Sequence, residues 1–157
     1  MYKRILSTLL VCLWMILIFC FSAQPASESS KLSGDVEEKI VRVVTKVSPK
    51  LGEKLARKPE GSLTVWVRKS AHFFLYLVLG ALAVWTAFSY GLEKRRIWIV
   101  FFFCLFYATS DELHQVFVPG RAGRLFDIGV DAAGSALGIL PCHLVFLKKK
   151  RKSKNFS

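Results

Sequence analysis

Ionisable side chains stand at the ends of two long apolar segments, where any chemistry of this chain would be concentrated. One segment ends in Asp111, Glu112, His114 and Gln115, the next opens with Asp127 and Asp131, and between them lie Arg121 and Arg124. A carboxylate at membrane depth costs about 2.5–3.5 kcal/mol on insertion scales, so such residues usually face a bundle interior or a water-filled cavity. These residues therefore predict a polar site in a small membrane protein.

A site that combines His, Asp, Glu, Gln and Arg side chains has three physical uses. Arg121, Arg124 or Lys69 could bind an anionic headgroup through charge-assisted hydrogen bonds. Carboxylates could hold a divalent cation with His72 as a nitrogen ligand, or His72 and Asp111 could form a catalytic acid–base pair. The chain has no HExxH motif, no Gly-rich phosphate loop and no GxSxG motif. The sequence therefore favours binding over catalysis and predicts no bound metal and no other cofactor.

The same residues also have a purely structural interpretation. Arg121 and Arg124 could neutralise the four acids as ion pairs that hold the intervening turn, since buried charges are often paired. His72 alone would more often be a hydrogen-bonded packing residue, and His114 is expected to be peripheral because it lies off the Asp111 face. However, two helices do not need four acids to dock, because apolar packing avoids the desolvation cost of charges. The convergence of these residues therefore favours a site.

Helical spacing places several of these side chains on shared faces. Pairs that lie one turn apart are His72 and Tyr76, Asp111 and Gln115, and Asp127 and Asp131. Gly134 and Gly138 continue the last of these stripes as a Gly-xxx-Gly pair, which allows another helix to approach closely. One face of the last apolar segment thus carries two carboxylates followed by a helix-packing surface.

Composition and charge favour a membrane protein over a nucleic-acid-binding protein. Hydrophobic residues make up 53% of the 157 residues, with 13 Phe and 4 Trp. The net charge of +12 comes from 23 Lys+Arg against 11 Asp+Glu, and many of the basic residues flank apolar segments, as orientation anchors and contacts to anionic lipid do. We expect membrane lipids as partners and no nucleic acid. Scattered cysteines without a CxxC pair are expected to be small buried residues: Cys12, Cys20, Cys104 and Cys142.

Four apolar segments approach the length of about 20 residues that a spanning helix needs. We predict an all-α, polytopic membrane protein of one domain, 1–157, with transmembrane helices at about 5–22, 71–90, 97–118 and 126–147. The first segment also fits a cleavable signal peptide, but bulky residues up to its end favour a retained helix. Pro141 is expected to kink the fourth helix.

The connection 23–70 and the basic flanks suggest an orientation. Apolar residues recur at helical spacing between Val36 and Leu51, which predicts an amphipathic helix broken near Pro49. Such a helix lies on the membrane, caps the bundle, or packs on the helix ends as a solvated element. Basic residues in the short flanks, including the tail 148–157, favour a cytoplasmic location for both termini. The polar site and the connection 23–70 would then lie on the outer side.

Four short motifs occur in a fixed order along the chain. They are Phe21-Ser22-Ala23-Gln24-Pro25, then Arg68-Lys69-Ser70-Ala71-His72-Phe73 with Tyr76, then Asp111-Glu112-Leu113-His114-Gln115-Val116-Phe117-Val118-Pro119-Gly120-Arg121, and finally Asp127, Asp131, Gly134 and Gly138. This ordered set resembles the VanZ-like family, with Ala23 standing where Ser is frequent. The resemblance implies a multi-pass protein of the bacterial cell membrane. For the founding member of the family it implies low-level resistance to teicoplanin, a glycopeptide that carries a fatty acyl chain which vancomycin lacks.

Three hypotheses follow for the polar site. In the leading one, an outer-side pocket binds the headgroup of an amphiphile: a lipid, a cell-wall lipid intermediate or a lipoglycopeptide. Arg121 would contact the anionic group, and Asp127 and Asp131 would orient it. The alternatives are a membrane enzyme that acts on such an amphiphile, and a structural subunit of a partner complex whose polar residues pair internally. The predicted pocket consists of His72, Tyr76, Asp111, Glu112, Gln115, Arg121, Asp127 and Asp131.

Overall fold

A computed structural model describes residues 1–57, 62–92 and 97–154. This part of the chain contains six helices and no strand, so the prediction of an all-α protein is confirmed. The helices are α1 (Tyr2–Ser22), α2 (Ala26–Val47), α3 (Pro49–Ala56), α4 (Ser62–Ser89), α5 (Ile97–Gln115) and α6 (Leu125–Lys154).

Four helices in the described ranges are long and apolar enough to cross a membrane. They comprise Tyr2–Ser22, Leu63–Ser89, Ile97–Gln115 and Leu125–Phe146. Only 22% to 28% of the residues in the apolar stretch of each helix are buried inside the protein. Large apolar surfaces of this kind mark contact with lipid or with a partner. The chain is therefore a multi-pass membrane protein, as its four apolar segments predicted.

The ends of α4 and α5 differ from the predicted boundaries. α4 begins at Ser62, ahead of the predicted start at 71, because no glycine or proline interrupts the intervening residues. α5 ends at Gln115 and does not reach Val118. Pro119 disfavours a helical conformation for the residue before it, and Gly120 adopts a left-handed backbone with φ +74°. The sharp turn that follows α5 is therefore encoded locally.

α6 is longer than predicted and continues through its proline. The helix runs from Leu125 to Lys154 with Pro141 inside it. Because proline has no backbone N–H, one hydrogen bond to the preceding turn is missing at this point. The basic tail predicted at 148–157 is helical up to Lys154, and 155–157 lie outside the described residues.

The amphipathic connection forms two helices that pack beside the bundle. α2 and α3 meet at Ser48, whose backbone is extended with φ −146°, and the break falls before a proline as predicted. At the start of α2, the Ala26 N–H donates to the Pro119 carbonyl at 3.2 Å. Further along, the Thr64 hydroxyl of α4 donates to Glu37 at 2.5 Å. α2 is thus fixed against α4 and the turn after α5.

Glycines allow α4 and α6 to approach each other closely. A Cβ atom on Gly134 would collide with the Phe73 carbonyl, and one on Gly138 would collide with the Leu77 carbonyl. Gly80 makes the matching approach from α4 towards α6. In the absence of side chains at these positions, the two backbones pack directly against each other. This contact holds the polar residues of α4 beside those of α6.

The four cysteines are free, and their burial differs from the prediction. Cys104 is buried in the core and Cys142 is half-buried. Cys12 and Cys20 are exposed, because they lie on a face of α1 that the other helices leave uncovered. The prediction that all four are small buried residues is therefore wrong for the two on α1.

Candidate functional site

Polar ends of four helices meet at one end of the bundle. The Ser22 hydroxyl at the end of α1 donates to Asp111 near the end of α5, at 2.7 Å. Near the start of α4, the Lys69 ammonium pairs with Asp127 in the first turn of α6. Helices that alternate in direction place these four ends at the same depth. Residues far apart in the sequence thus share one polar region.

A polar cavity of about 120 Å³ opens in this region. Predicted site residues on its wall are His72, Glu112, Gln115, Arg121, Asp127 and Asp131. The wall also includes residues outside the predicted set, which are Arg68, Lys69, Gly120, Ala122, Arg124 and Val130. The other two predicted residues, Tyr76 and Asp111, are buried and do not line the cavity.

Two buried carboxylates each leave one oxygen without a hydrogen-bond partner among the described residues. Asp111 accepts through Oδ2 from Ser22 and, at 3.4 Å, from the Gln115 amide, whereas its Oδ1 is unpartnered. Asp131 is 1% exposed and its Oδ1 is also unpartnered. The Tyr76 hydroxyl is close enough to interact with Asp111 electrostatically, but it makes no well-aligned hydrogen bond. The region is therefore polar without being internally satisfied.

His72, Asp111 and Asp131 come together from three different helices. Each offers one ligand atom, and these atoms all lie within 4.8 Å of one another. The His72 Nδ1 atom is 3.9 Å from Asp131 Oδ1. A nitrogen and two carboxylate oxygens are a donor set that divalent transition metals accept. No motif search finds this group, because its members lie on α4, α5 and α6.

Arg121 is held by the last turn of α1, by Gln24 just beyond it and by α5. Its Nε donates to the Gln24 carbonyl at 2.9 Å, and its Nη1 donates to Gln115 Oε1 at 3.1 Å. Its Nη2 donates to the Phe21 carbonyl at 3.3 Å. The last carbonyls of a helix lack partners within the helix and attract cations. Arg121 thus ties the end of α1 to the turn that follows α5.

The arginines between α5 and α6 do not neutralise the acids. Within the described ranges, no salt bridge joins the side chain of Arg121 or Arg124 to a carboxylate. Instead, Arg124 donates its backbone N–H to Glu112 at 2.5 Å. The ion pairs considered from the sequence therefore do not form here, because backbone carbonyls and a backbone N–H take their place.

Arg68 is the main cavity residue that the predicted pocket did not include, although it belongs to a motif noted in the sequence. It lines the cavity, and its side chain makes no hydrogen bond or ion pair within the described part of the chain. Burial lowers the pKa of the Arg121 guanidinium, and the nearby charge of Arg68 lowers it further. Arginine nevertheless stays protonated in proteins, so two like charges face one space. Its position one turn before His72 is the signal that could have identified Arg68.

A second, mostly apolar cavity of about 480 Å³ adjoins the polar one. It lies between the end of α1, the first half of α2 and α4, and its apolar wall includes Trp14, Phe21, Leu32, Val36, Phe74, Leu75 and Val78. Arg68, His72 and Arg121 line both cavities. We refer to the two cavities together as the amphipathic pocket, since a charged end continues into an apolar end.

His114 lies outside this pocket. Its ring stacks on Phe19 with 4.5 Å between the ring centroids, and it lines neither cavity. Ser22 and Lys69 were not among the predicted pocket residues, although both belong to motifs noted in the sequence. They act here as partners that hold Asp111 and Asp127.

Comparison with known proteins identifies a family to which the chain is similar. The family model described as VanZ/LLP1 matches residues 7–146, which is nearly the whole chain. No curated protein and no solved structure matches the chain.

Proposed function

The chain belongs to the VanZ/LLP1 family of membrane proteins, and we propose that its amphipathic pocket binds an amphiphile. The anionic headgroup would occupy the polar cavity, and an acyl chain would occupy the apolar cavity. The observation that carries this proposal is that Arg68, His72 and Arg121 line both cavities. The apolar cavity of about 480 Å³ also falls within the range of about 300–1,000 Å³ that is typical of ligand pockets.

The charges around the pocket support an anionic headgroup. Arg68 makes no ion pair within the described residues, so an incoming anion would be its first partner. Arg121 uses three of its N–H groups on oxygens of the protein and has five in total, which leaves donors for a ligand. Arginine binds phosphate and carboxylate oxygens through paired, charge-assisted hydrogen bonds. Arg68 is therefore the primary contact, with Arg121 beside it.

The acids on the polar wall suit the uncharged groups of a headgroup. Asp127 is already paired with Lys69, and Glu112 accepts from the Arg124 backbone. Free carboxylate oxygens accept hydrogen bonds from hydroxyl or amide groups. A headgroup with one anionic group and several hydroxyl or amide groups fits this wall. Phospholipids, cell-wall lipid intermediates and lipoglycopeptides share this chemistry.

We place the pocket at the outer surface of the bacterial cell membrane. Basic flanks next to the opposite helix ends favour the cytoplasm for both termini. A lipoglycopeptide with an acyl chain, such as teicoplanin, would reach the pocket from the outer leaflet. Vancomycin, which has no acyl chain, would leave the apolar cavity empty. Low-level resistance to teicoplanin is therefore the cellular role that we propose.

Growth inhibition by teicoplanin and by vancomycin tests this role. A host expressing the chain should tolerate at least twofold more teicoplanin, with no change for vancomycin. Arg68→Ala should abolish the difference at unchanged membrane abundance, because the headgroup loses its primary contact. Arg57→Ala is the matched control, since Arg57 is an exposed arginine that pairs with Glu53 outside the pocket. Equal protection by the Arg68 variant would contradict the proposal.

Direct binding separates the general proposal from the resistance role. The purified chain in phosphatidylcholine nanodiscs would be titrated with teicoplanin and, separately, with phosphatidylglycerol. If phosphatidylglycerol binds and teicoplanin does not, and Arg68→Ala weakens lipid binding at least tenfold, the pocket binds lipid and the proposed resistance role is wrong. Binding of neither probe would count against the amphiphile.

A membrane enzyme that acts on the same amphiphile is the second candidate. The proximity of His72 to Asp111 and Asp131 favours it, because such a group can activate water or move a proton. Asp111→Asn distinguishes the two candidates, since Asp111 does not line the polar cavity. An enzyme would lose activity and keep its affinity for the amphiphile, whereas a binding protein would lose function only in step with affinity.

A further inference from the structure

The geometry points to a divalent-cation site formed by His72, Asp111 and Asp131 beside the polar cavity. The donor set of one imidazole nitrogen and two carboxylate oxygens suits a transition-metal ion such as Zn²⁺ or Mn²⁺. The ion site does not depend on the amphiphile, because its three ligand residues and the metal-binding experiment that tests it require no bound amphiphile. It also departs from the sequence prediction, in which no metal was expected.

The separations of the ligand atoms match a bound ion. Zinc lies about 2.0–2.2 Å from imidazole nitrogen and carboxylate oxygen, so donors that share an ion are roughly 3–4 Å apart. His72 Nδ1 and Asp131 Oδ1 are already 3.9 Å apart. All three ligand atoms lie within 4.8 Å of one another. Small side-chain rotations would therefore bring the three donors to one ion.

Unpartnered oxygens provide an independent indication of a ligand. Asp111 is 3% exposed and Asp131 is 1% exposed, and the Oδ1 atom of each has no hydrogen-bond partner in the described part of the chain. A buried carboxylate is costly unless it is paired or coordinates a metal. A divalent cation between the two oxygens would satisfy both of them at once.

The surrounding residues hold Asp111 in place without occupying its Oδ1 atom. Asp111 Oδ2 accepts from Ser22 at 2.7 Å, which leaves Oδ1 directed away from that bond. Such hydrogen bonds to the second oxygen orient the carboxylate ligands of metal ions. Two nearby cations are engaged elsewhere, since Lys69 pairs with Asp127 and Arg121 donates to carbonyl and amide oxygens. The Oδ1 atoms of Asp111 and Asp131 are therefore left without a hydrogen-bond partner among the described residues.

The remaining coordination positions would face the polar cavity. His72 and Asp131 line that cavity, whereas Asp111 lies behind them. Three protein ligands leave at least one position open for water or for a ligand oxygen. A headgroup oxygen could take this open position, an extension that rests on the proposed function. The headgroup would then lie between the ion and Arg68.

Metal binding by the full chain tests the site. The protein would be purified in detergent with its affinity tag removed, treated with a chelator, and then dialysed against micromolar Zn²⁺, Mn²⁺ or Mg²⁺. Elemental analysis should find about one Zn²⁺ or Mn²⁺ per chain, and the added ion should raise the melting temperature by binding only the folded state. Absence of a retained ion in the wild-type chain would overturn the site, whatever the variants do.

Variants assign the ion to the three residues. Asp131→Asn, Asp111→Asn and His72→Gln should each weaken binding at least tenfold. His114→Gln is the matched control, because it removes a histidine that stacks on Phe19 outside the trio. Equal loss in the control, or equal binding by all three site variants, would overturn the assignment. Arg68→Ala should keep the ion while losing the amphiphile, so failure of the metal site is distinguishable from failure of the amphiphile pocket.

Discussion

Single buried hydrogen bonds decide how the acids are held. Ser22 is fully buried, and its hydroxyl is the closest donor to Asp111, at 2.7 Å. The same hydroxyl accepts from the Gln115 amide at 3.3 Å. Small polar residues at the end of a membrane helix therefore have a structural purpose here, since they orient a carboxylate that the membrane would otherwise disfavour.

Ser22→Ala should destabilise the protein by about 1–3 kcal/mol, because it removes a donor from a buried acceptor. Thermal unfolding in detergent measures this loss. Ser30→Ala on the exposed face of α2 is the matched control and should stay within about 0.5 kcal/mol of wild type. A Ser22 variant as stable as this control would show that Asp111 does not need the bond.

The salt bridge between Lys69 and Asp127 also holds an acid of the site in place. Exchanging the two charges tests its contribution to stability. Their side chains are 16% and 31% exposed, so removing either charge leaves the other partly desolvated. Lys69→Ala should lower membrane abundance and melting temperature. The double exchange Lys69→Asp with Asp127→Lys should recover more than half of that loss. If the double exchange is as unstable as Lys69→Ala, attraction between the two charges does not account for the contribution of this pair to stability.

Helix packing positions the site through glycine. α4 and α6 touch backbone to backbone at Gly134 and Gly138, and the same two helices carry His72 and Asp131. Their separation is therefore fixed by residues that have no side chain. A change at the glycines should alter the site without touching any of its polar groups.

Gly138→Ala should destabilise the bundle by about 1–3 kcal/mol, because the added methyl group would meet the Leu77 carbonyl. Gly129→Ala in the same helix has open space around it and should be neutral or stabilising, since alanine favours helix. Melting temperatures of the two variants provide the comparison. A Gly138 variant that unfolds at the wild-type temperature would show that α4 and α6 can separate at no cost.

The two ends of the helix bundle differ in their polar features. Its amphipathic pocket lies at one end of the bundle, and at the other end Arg4 donates to the Ser89 carbonyl at 3.0 Å. The exposed apolar faces between these ends match a lipid environment. We predict that both termini lie on the same side of the membrane, because four crossings are an even number.

Both termini should be cytoplasmic, and cysteine accessibility in intact cells tests this orientation. A cysteine introduced as Ser30→Cys on α2 should react with a membrane-impermeant maleimide. One introduced as Lys148→Cys should react only after lysis, because the basic flanks hold that end inside. Native Cys12 and Cys20 lie within α1 and serve as the background. The reverse labelling pattern would place the pocket in the cytoplasm and remove access from the outer leaflet.

The sequence by itself determined the class of this protein and most of its helices. Apolar length predicts the four crossing helices, because a membrane requires about 20 apolar residues for each. The break at Ser48 follows from Pro49, which acts on adjacent backbone, whereas α5 ends three residues before the predicted boundary at Val118. Family membership also follows from short ordered motifs, since these are read along the chain.

Only the tertiary structure decided which polar groups meet. Arg68, His72 and Arg121 line both cavities because α4 and the turn after α5 converge there. The spacing of residues along one helix does not predict which residues of another helix they contact. The sequence likewise offered Arg121 as an ion-pair partner of the acids, whereas the fold brings it to the carbonyls of Phe21 in the last turn of α1 and of Gln24 just beyond it. Spacing along a helix fixes a face, but the packing of one helix on another decides what that face touches.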